Sequence, residues 1–144
     1  MKTVPVVFLV AISLTRPAST QAKPDGPPLS CGRFVDSAGR CLTYEPSIIQ
    51  LIARPELYDG KPVRVMGYVH IEFEGNGIYV HKEDRDHLLF HNGLWVEFKI
   101  GFIPSAQCQD RYVVLEGVFR ASDRGHLGMW SGAIVDITRC DPRR

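Results

Sequence analysis

Residues 61–74 read KPVRVMGYVHIEFE, and the fold turns on how this stretch is read. From Val63 every second residue is apolar or glycine: Val63, Val65, Gly67, Val69, Ile71 and Phe73. The positions between, Arg64, Met66, Tyr68, His70, Glu72 and Glu74, are mostly polar or amphipathic. A period of two marks a strand with one buried face. The run is longer than an ordinary strand, and Gly67 offers a point where it can bend without a side chain in the way. A long, coiled first strand is the expected start of a small β-barrel.

Upstream, Ser47 is a good N-cap, and Gln50 three residues later completes a capping box. Ile48, Ile49, Leu51 and Ile52 supply the apolar face of the helix this opens, and Pro55 ends it. Downstream, Gly75-Asn76-Gly77 predicts a tight hairpin turn, with return through residues 78–81. Residues 82–92 (KEDRDHLLFHN) form a charged excursion whose pattern admits a helix. Three further strands are expected over residues 94–100, 112–121 and 129–139. VVLEGVF (113–119) repeats the plan of VRVMGYV (63–69), glycine on glycine, as strand chemistry rather than duplication. Five short strands with one short N-terminal helix make the chain mainly β, a five-stranded OB-like Greek-key barrel, partly open.

The 144-residue chain divides around this domain. Residues 1–22 read as a signal peptide: Lys2, an apolar run from Val4 to Leu14, then Thr20-Gln21-Ala22 as a small-residue cleavage site. The run is too short to span a bilayer. Residues 23–46 are a proline-rich linker and a cysteine-pinned arm, and residues 47–140 the barrel domain. Export to the periplasm or beyond the cell is expected. Cys31, Cys41, Cys108 and Cys140 survive cleavage, and an even count in an exported chain favours disulfides. Local pairing is expected: Cys31–Cys41 clips the arm, and Cys108–Cys140 ties the approach to one strand to the end of the last. No CxxC occurs, so neither a redox dithiol nor a zinc knuckle is indicated. Removing residues 1–22 takes away Lys2 and Arg16 and no acid, so the net charge passes from +1 to −1. That balance speaks against a nucleic-acid partner.

LIARPELYDGKPVRVMGYVH (51–70), YVHKED (79–84), LWVEF (94–98) and YVVLEGVF (112–119) together resemble a group of small exported bacterial proteins of unassigned function. YDGKPVRVMGYV (58–69) is also similar, more loosely, to the opening of periplasmic bacterial OB-fold proteins. The resemblance implies a fold and a compartment; it carries no catalytic motif to transfer. OB barrels of the usual kind place a helix between strands three and four, whereas the helix here precedes strand one.

Three kinds of chemistry are open to the residues. The polar face of strand one, Arg64, Tyr68, His70 and Glu72, with Tyr79 and Trp95 beside it, is the candidate ligand-binding surface for a small molecule, a glycan or an envelope protein. The competing reading is that these residues pack beneath the helix or the N-terminal arm. His81, His87 and His91, with His70 across the hairpin, are the candidate metal ligands; His87 and His91 would share a helix face at i, i+4. No other cofactor is indicated. Glu72 with His70 is the candidate acid–base pair of a small hydrolase. HExxH, the P-loop, the Rossmann fingerprint and the nucleophile elbow are absent, so no catalytic residue is assigned. The expected protein is a monomeric, non-catalytic binding or envelope-interaction module.

Overall fold

A computed structural model describes residues 29, 31–32 and 35–143; the expected signal peptide and most of the linker lie outside them. The elements are α1 (Ile48–Ala53), β1 (Pro62–His70), β2 (Gly77–Tyr79), α2 (Lys82–Asp86), β3 (Gly93–Phe98), β4 (Arg111–Arg120) and β5 (Ala133–Pro142), with short 3-10 turns between. The strands close into a barrel in the order β1-β2-β3-β5-β4. β1 pairs antiparallel with β2 and β4, β3 runs parallel to β5, and β4 and β5 are antiparallel. The OB-like five-stranded plan therefore holds, and the barrel is fully closed rather than partly open.

Alternation along β1 decides what lies inside. Val63, Val65 and Val69 join Ile78, Leu94, Val96, Val113, Leu115, Phe119, Ile134 and Ile137 in one buried cluster. α1 adds Ile48 and Leu51 to that cluster. Its capping box forms as the sequence predicts: Gln50 N–H donates to Ser47 Oγ at 3.1 Å, and Ser47 N–H to Gln50 Oε1 at 2.8 Å. Gly67 and Gly117, the two glycines of the sequence echo, each lie beneath another backbone. A Cβ on Gly67 would come within 2.6 Å of Tyr79 O and Ile48 Cδ1, and one on Gly117 within 2.6 Å of Val135 O. Only a bare Cα fits where a small barrel coils this tightly.

The N-terminal arm lies along the first residues of β1, which β2, paired only with Tyr68–His70, does not reach. Tyr44 N–H donates to Pro62 O, and Arg64 N–H to Tyr44 O. Both expected disulfides are present: Cys31–Cys41 (Cα–Cα 5.6 Å) pins this arm, and Cys108–Cys140 (6.2 Å) joins the turn before β4 to β5. Among the described residues no helix is long and apolar enough to cross a membrane.

Several boundaries differ from expectation. β1 ends at His70, and the hairpin tip is Phe73-Glu74 rather than Gly75-Asn76-Gly77. Gly75 N–H donates to Glu72 O there, Glu74 adopts φ 59°, and Asn76 Oδ1 accepts from Glu72 N–H. The excursion is α-helical only at its start, over α2, and residues 87–92 do not continue that helix; a separate 3-10 turn follows at Phe90–Asn92. Leu88 takes a left-handed φ of 56°, which an α-helix cannot continue through. His87 and His91 consequently belong to different elements.

Candidate functional site

The structure distributes the candidate surface residues among three places. Arg64 is half-buried on the outer face of β1, with ion pairs to Glu116 (3.6 Å) and Glu45 (3.9 Å). Tyr68 and Tyr79, cross-strand partners in register, are both buried. Tyr68 meets Tyr112 edge-on at 5.6 Å, and Tyr79 lies over Gly77 and Gly93. Burial pushes both phenols above their ordinary range; Asp110 adds to it at Tyr68, and Trp130 opposes it at Tyr79. Neither ring is presented to solvent, which corrects the expectation of one open surface running from Arg64 to Trp95. Tyr79 packs on Gly77 and Gly93 beside Trp130, and Tyr68 is covered on the outside of the barrel from α2 and from the segment leading into β4.

That cover is held by His70. The ring is 8% exposed. Its Nε2 accepts from Arg85 Nη2 of α2 at 2.7 Å; a guanidinium can only donate, so Nε2 carries the lone pair and Nδ1 the hydrogen. Nδ1–H donates to Asp110 Oδ1 at 2.5 Å. Gln109 Nε2 donates to the other Asp110 oxygen at 2.9 Å, and Gln109 Oε1 accepts from Ile71 N–H. The hydrogen bond from His70 holds the Asp110 carboxyl below the usual carboxylate range. Glu72 Oε2 stands 3.3 Å from Nε2 and 3.9 Å from Arg85 Nη2. His70 and Glu72 do come together, but Arg85 already occupies the nitrogen that an acid–base pair would use.

The metal-ligand candidates are spread out. His81 precedes α2, with its backbone N–H on Asp84 Oδ2; His87 follows that helix, and His91 sits in the 3-10 turn before β3. Among the described residues no group of three or more His, Cys, Asp or Glu side chains is arranged to hold a metal ion.

Trp95, the last candidate, is half-buried and borders a cleft of about 430 Å³ with Glu74, Asn76, Glu97, Asp123, Gly125 and His126. The β1–β2 turn contributes Glu74 and Asn76, the outer face of β3 Trp95 and Glu97, and the β4–β5 connection the rest. Gly125 (φ 61°) lies directly on the indole: a Cβ there would be 2.5 Å from Cδ2. Asp123 Oδ1 accepts from Gly125 N–H at 3.0 Å, and His126 Nε2 is 3.6 Å from Glu74 Oε2 across the cleft. Behind Trp95, Trp130 meets it edge-on at 5.0 Å and is wholly buried. The Trp130 Nε1 has no hydrogen-bond partner among the described residues, Tyr79 being close without bonding geometry. Three carboxylates against one imidazole make this cleft acidic, suited to an ammonium or guanidinium held beside an indole.

Of these residues the sequence reading singled out Trp95, as a neighbour of the polar face of strand one. Asp123 and Glu97 carry no local signal. Arg85, Gln109 and Asp110 were equally silent, being separated from His70 by 15, 39 and 40 positions. Comparison with known proteins returns no matching family model, no matching curated protein and no matching solved structure.

Proposed function

We propose that the chain is an exported, non-catalytic binding module that receives a basic group of an envelope protein in the acidic cleft beside Trp95. The observation that carries this reading is the convergence of Glu74, Glu97 and Asp123 on one side of a half-buried indole. A lysine or arginine side chain there gains charge-assisted hydrogen bonds and ring contact together. The two disulfides support an oxidising compartment.

Titration with tetralysine at low salt, followed by tryptophan fluorescence, tests the reading. Trp130 is wholly buried and the chain has two tryptophans, so a response reports Trp95. A saturable change that weakens with salt and is lost in Glu97→Gln/Asp123→Asn is expected, with no response to tetraglutamate. An unresponsive wild-type protein, or equal binding by the double variant, would refute it.

A further inference from the structure

We propose that His70 is a proton-operated clasp: its neutral ring pins α2 to β1 through Arg85, and its protonated ring exchanges Arg85 for Glu72. Each part of the exchange has an observed position. In the neutral state Nδ1–H is committed to Asp110 and the Nε2 lone pair to Arg85 Nη2, 2.7 Å away. A proton arriving on Nε2 turns that acceptor into a donor, and two donors cannot share one hydrogen bond. Glu72 Oε2 is already 3.3 Å from Nε2 and can accept the new N–H with small movement. Arg85 then loses its bond to β1 and keeps only its long contacts to Glu72 (3.9 Å) and Asp86 (3.8 Å).

The charged groups around the ring favour this outcome over simple expulsion of the proton. From the segment before β4, Asp110 faces the ring, its charge kept by Gln109 and by His70 itself. From α2 comes Arg85, with Lys82 and Asp86 paired to each other beyond it. From the β1–β2 turn comes Glu72, and across the hairpin the register partner of His70 is Gly77, which brings no charge. Tyr68, whose phenol burial pushes above its ordinary range, stays neutral and brings no charge of its own. Two carboxylates thus stand ready to balance an imidazolium and a guanidinium. What changes is geometry: the link between α2 and the barrel is lost while the charge stays compensated. Glu72 shares its turn with the cleft residue Glu74, so the movement also reaches the cleft; that consequence alone rests on the function proposed above.

Nitrogen-15 NMR of the histidine rings, with amide hydrogen exchange over α2 and its last turn, tests the clasp without any ligand. At pH 8 the His70 signals should report hydrogen on Nδ1 and none on Nε2. On acidification Nε2 gains hydrogen, and the amides of His87 and Leu89, which bond to Glu83 O and Asp84 O, exchange several-fold faster after correction for intrinsic rates. Glu72→Gln, at an exposed position, should move the transition to lower pH; Arg85→Gln should move it to higher pH and abolish the pH dependence of α2 exchange. Hydrogen on Nε2 at pH 8, corrected α2 exchange that is the same at pH 5 and 8, or a transition unmoved in both variants would overturn the proposal.

Discussion

Gly67→Ala is the most direct test of how this barrel is built. The added methyl would stand 2.6 Å from Tyr79 O, 2.6 Å from Ile48 Cδ1 and 2.7 Å from Ile78 Cγ1, where ordinary contact begins at 3.4 Å. Ile48 Cδ1 is the free end of a side chain, Ile78 Cγ1 sits next to its own Cβ and can move less, and the third is the backbone of β2, which pairs with β1 over Tyr68–His70. Side chains can rotate away; a paired carbonyl cannot yield without breaking the hairpin. Overpacking of a full core typically costs about 1–3 kcal/mol, and the backbone clash places this substitution at the upper end. For a domain of this size about 3 kcal/mol lowers the thermal midpoint by roughly 10–15 °C. Circular dichroism melts under non-reducing conditions would measure it, with Gly101→Ala as the control. Gly101 has nothing within 4 Å of a built Cβ, but its φ of +87° is unfavourable for alanine, so a loss of about 1–2 kcal/mol is expected there from backbone alone. Adding Ile48→Val to Gly67→Ala removes the Cδ1 clash and should recover part of the deficit, never all, because Tyr79 O remains. If Gly67→Ala melts within a few degrees of wild type, or no lower than the control, the claim that another backbone crosses β1 at this point is wrong.

Other substitutions probe other parts of the molecule. Replacing Cys108 and Cys140 together by serine opens a link of sequence separation 32 and should cost about 3–4 kcal/mol, read as a lowered urea midpoint. The same exchange at Cys31 and Cys41, separation 10 and confined to the arm, should cost less; an equal or larger loss would mean the arm is integral to the barrel. Asp110 is held below the ordinary carboxylate range, so its share of stability is present above that range and disappears as pH falls through its folded value. Asp110→Asn should therefore flatten the acid limb of a stability-versus-pH curve below about pH 4, and parallel limbs for the two proteins would count against the assignment. Gly125→Ala drives a methyl into the Trp95 indole at a φ of +61°, so the tetralysine response should vanish while the Cys108–Cys140 link stays formed. Retention of that response would remove Gly125 from the cleft rim.

Local features of the sequence translated well. The alternation from Val63 to Val69 became the inner face of β1, and Ser47 with Gln50 became the cap of α1. The glycine echo falls on β1 and β4, which pair antiparallel, and each glycine meets its other neighbour closely, Gly67 the backbone of β2 and Gly117 that of β5. Both disulfides joined cysteines that are neighbours in order. What could not be read was which polar face would be covered. Tyr68 and His70 alternate outward as expected, yet their burial depends on Arg85 and Asp110, groups brought in by distant loops. Asp110 reaches the ring from a left-handed backbone position (φ 52°) that nothing in its flanking residues advertises. The bend at Leu88 is of the same kind, and it separated His87 from His91. In each case the strand period was visible, and the tertiary partner that decided exposure was not.

The order of elements along the chain has a consequence for how the molecule matures. Cys31 and Cys41 lie close together ahead of the barrel, so a chain emerging amino end first can oxidise them before any strand has a neighbour. Cys108 must wait, because its partner rides on the strand that seals the barrel, and β1 itself lacks its longest neighbour until β4 has appeared. Oxidation in sequence order therefore yields the native pairs, and a thiol at position 108 left idle while the last strand arrives marks the stage at which a catalyst of disulfide exchange would find its substrate.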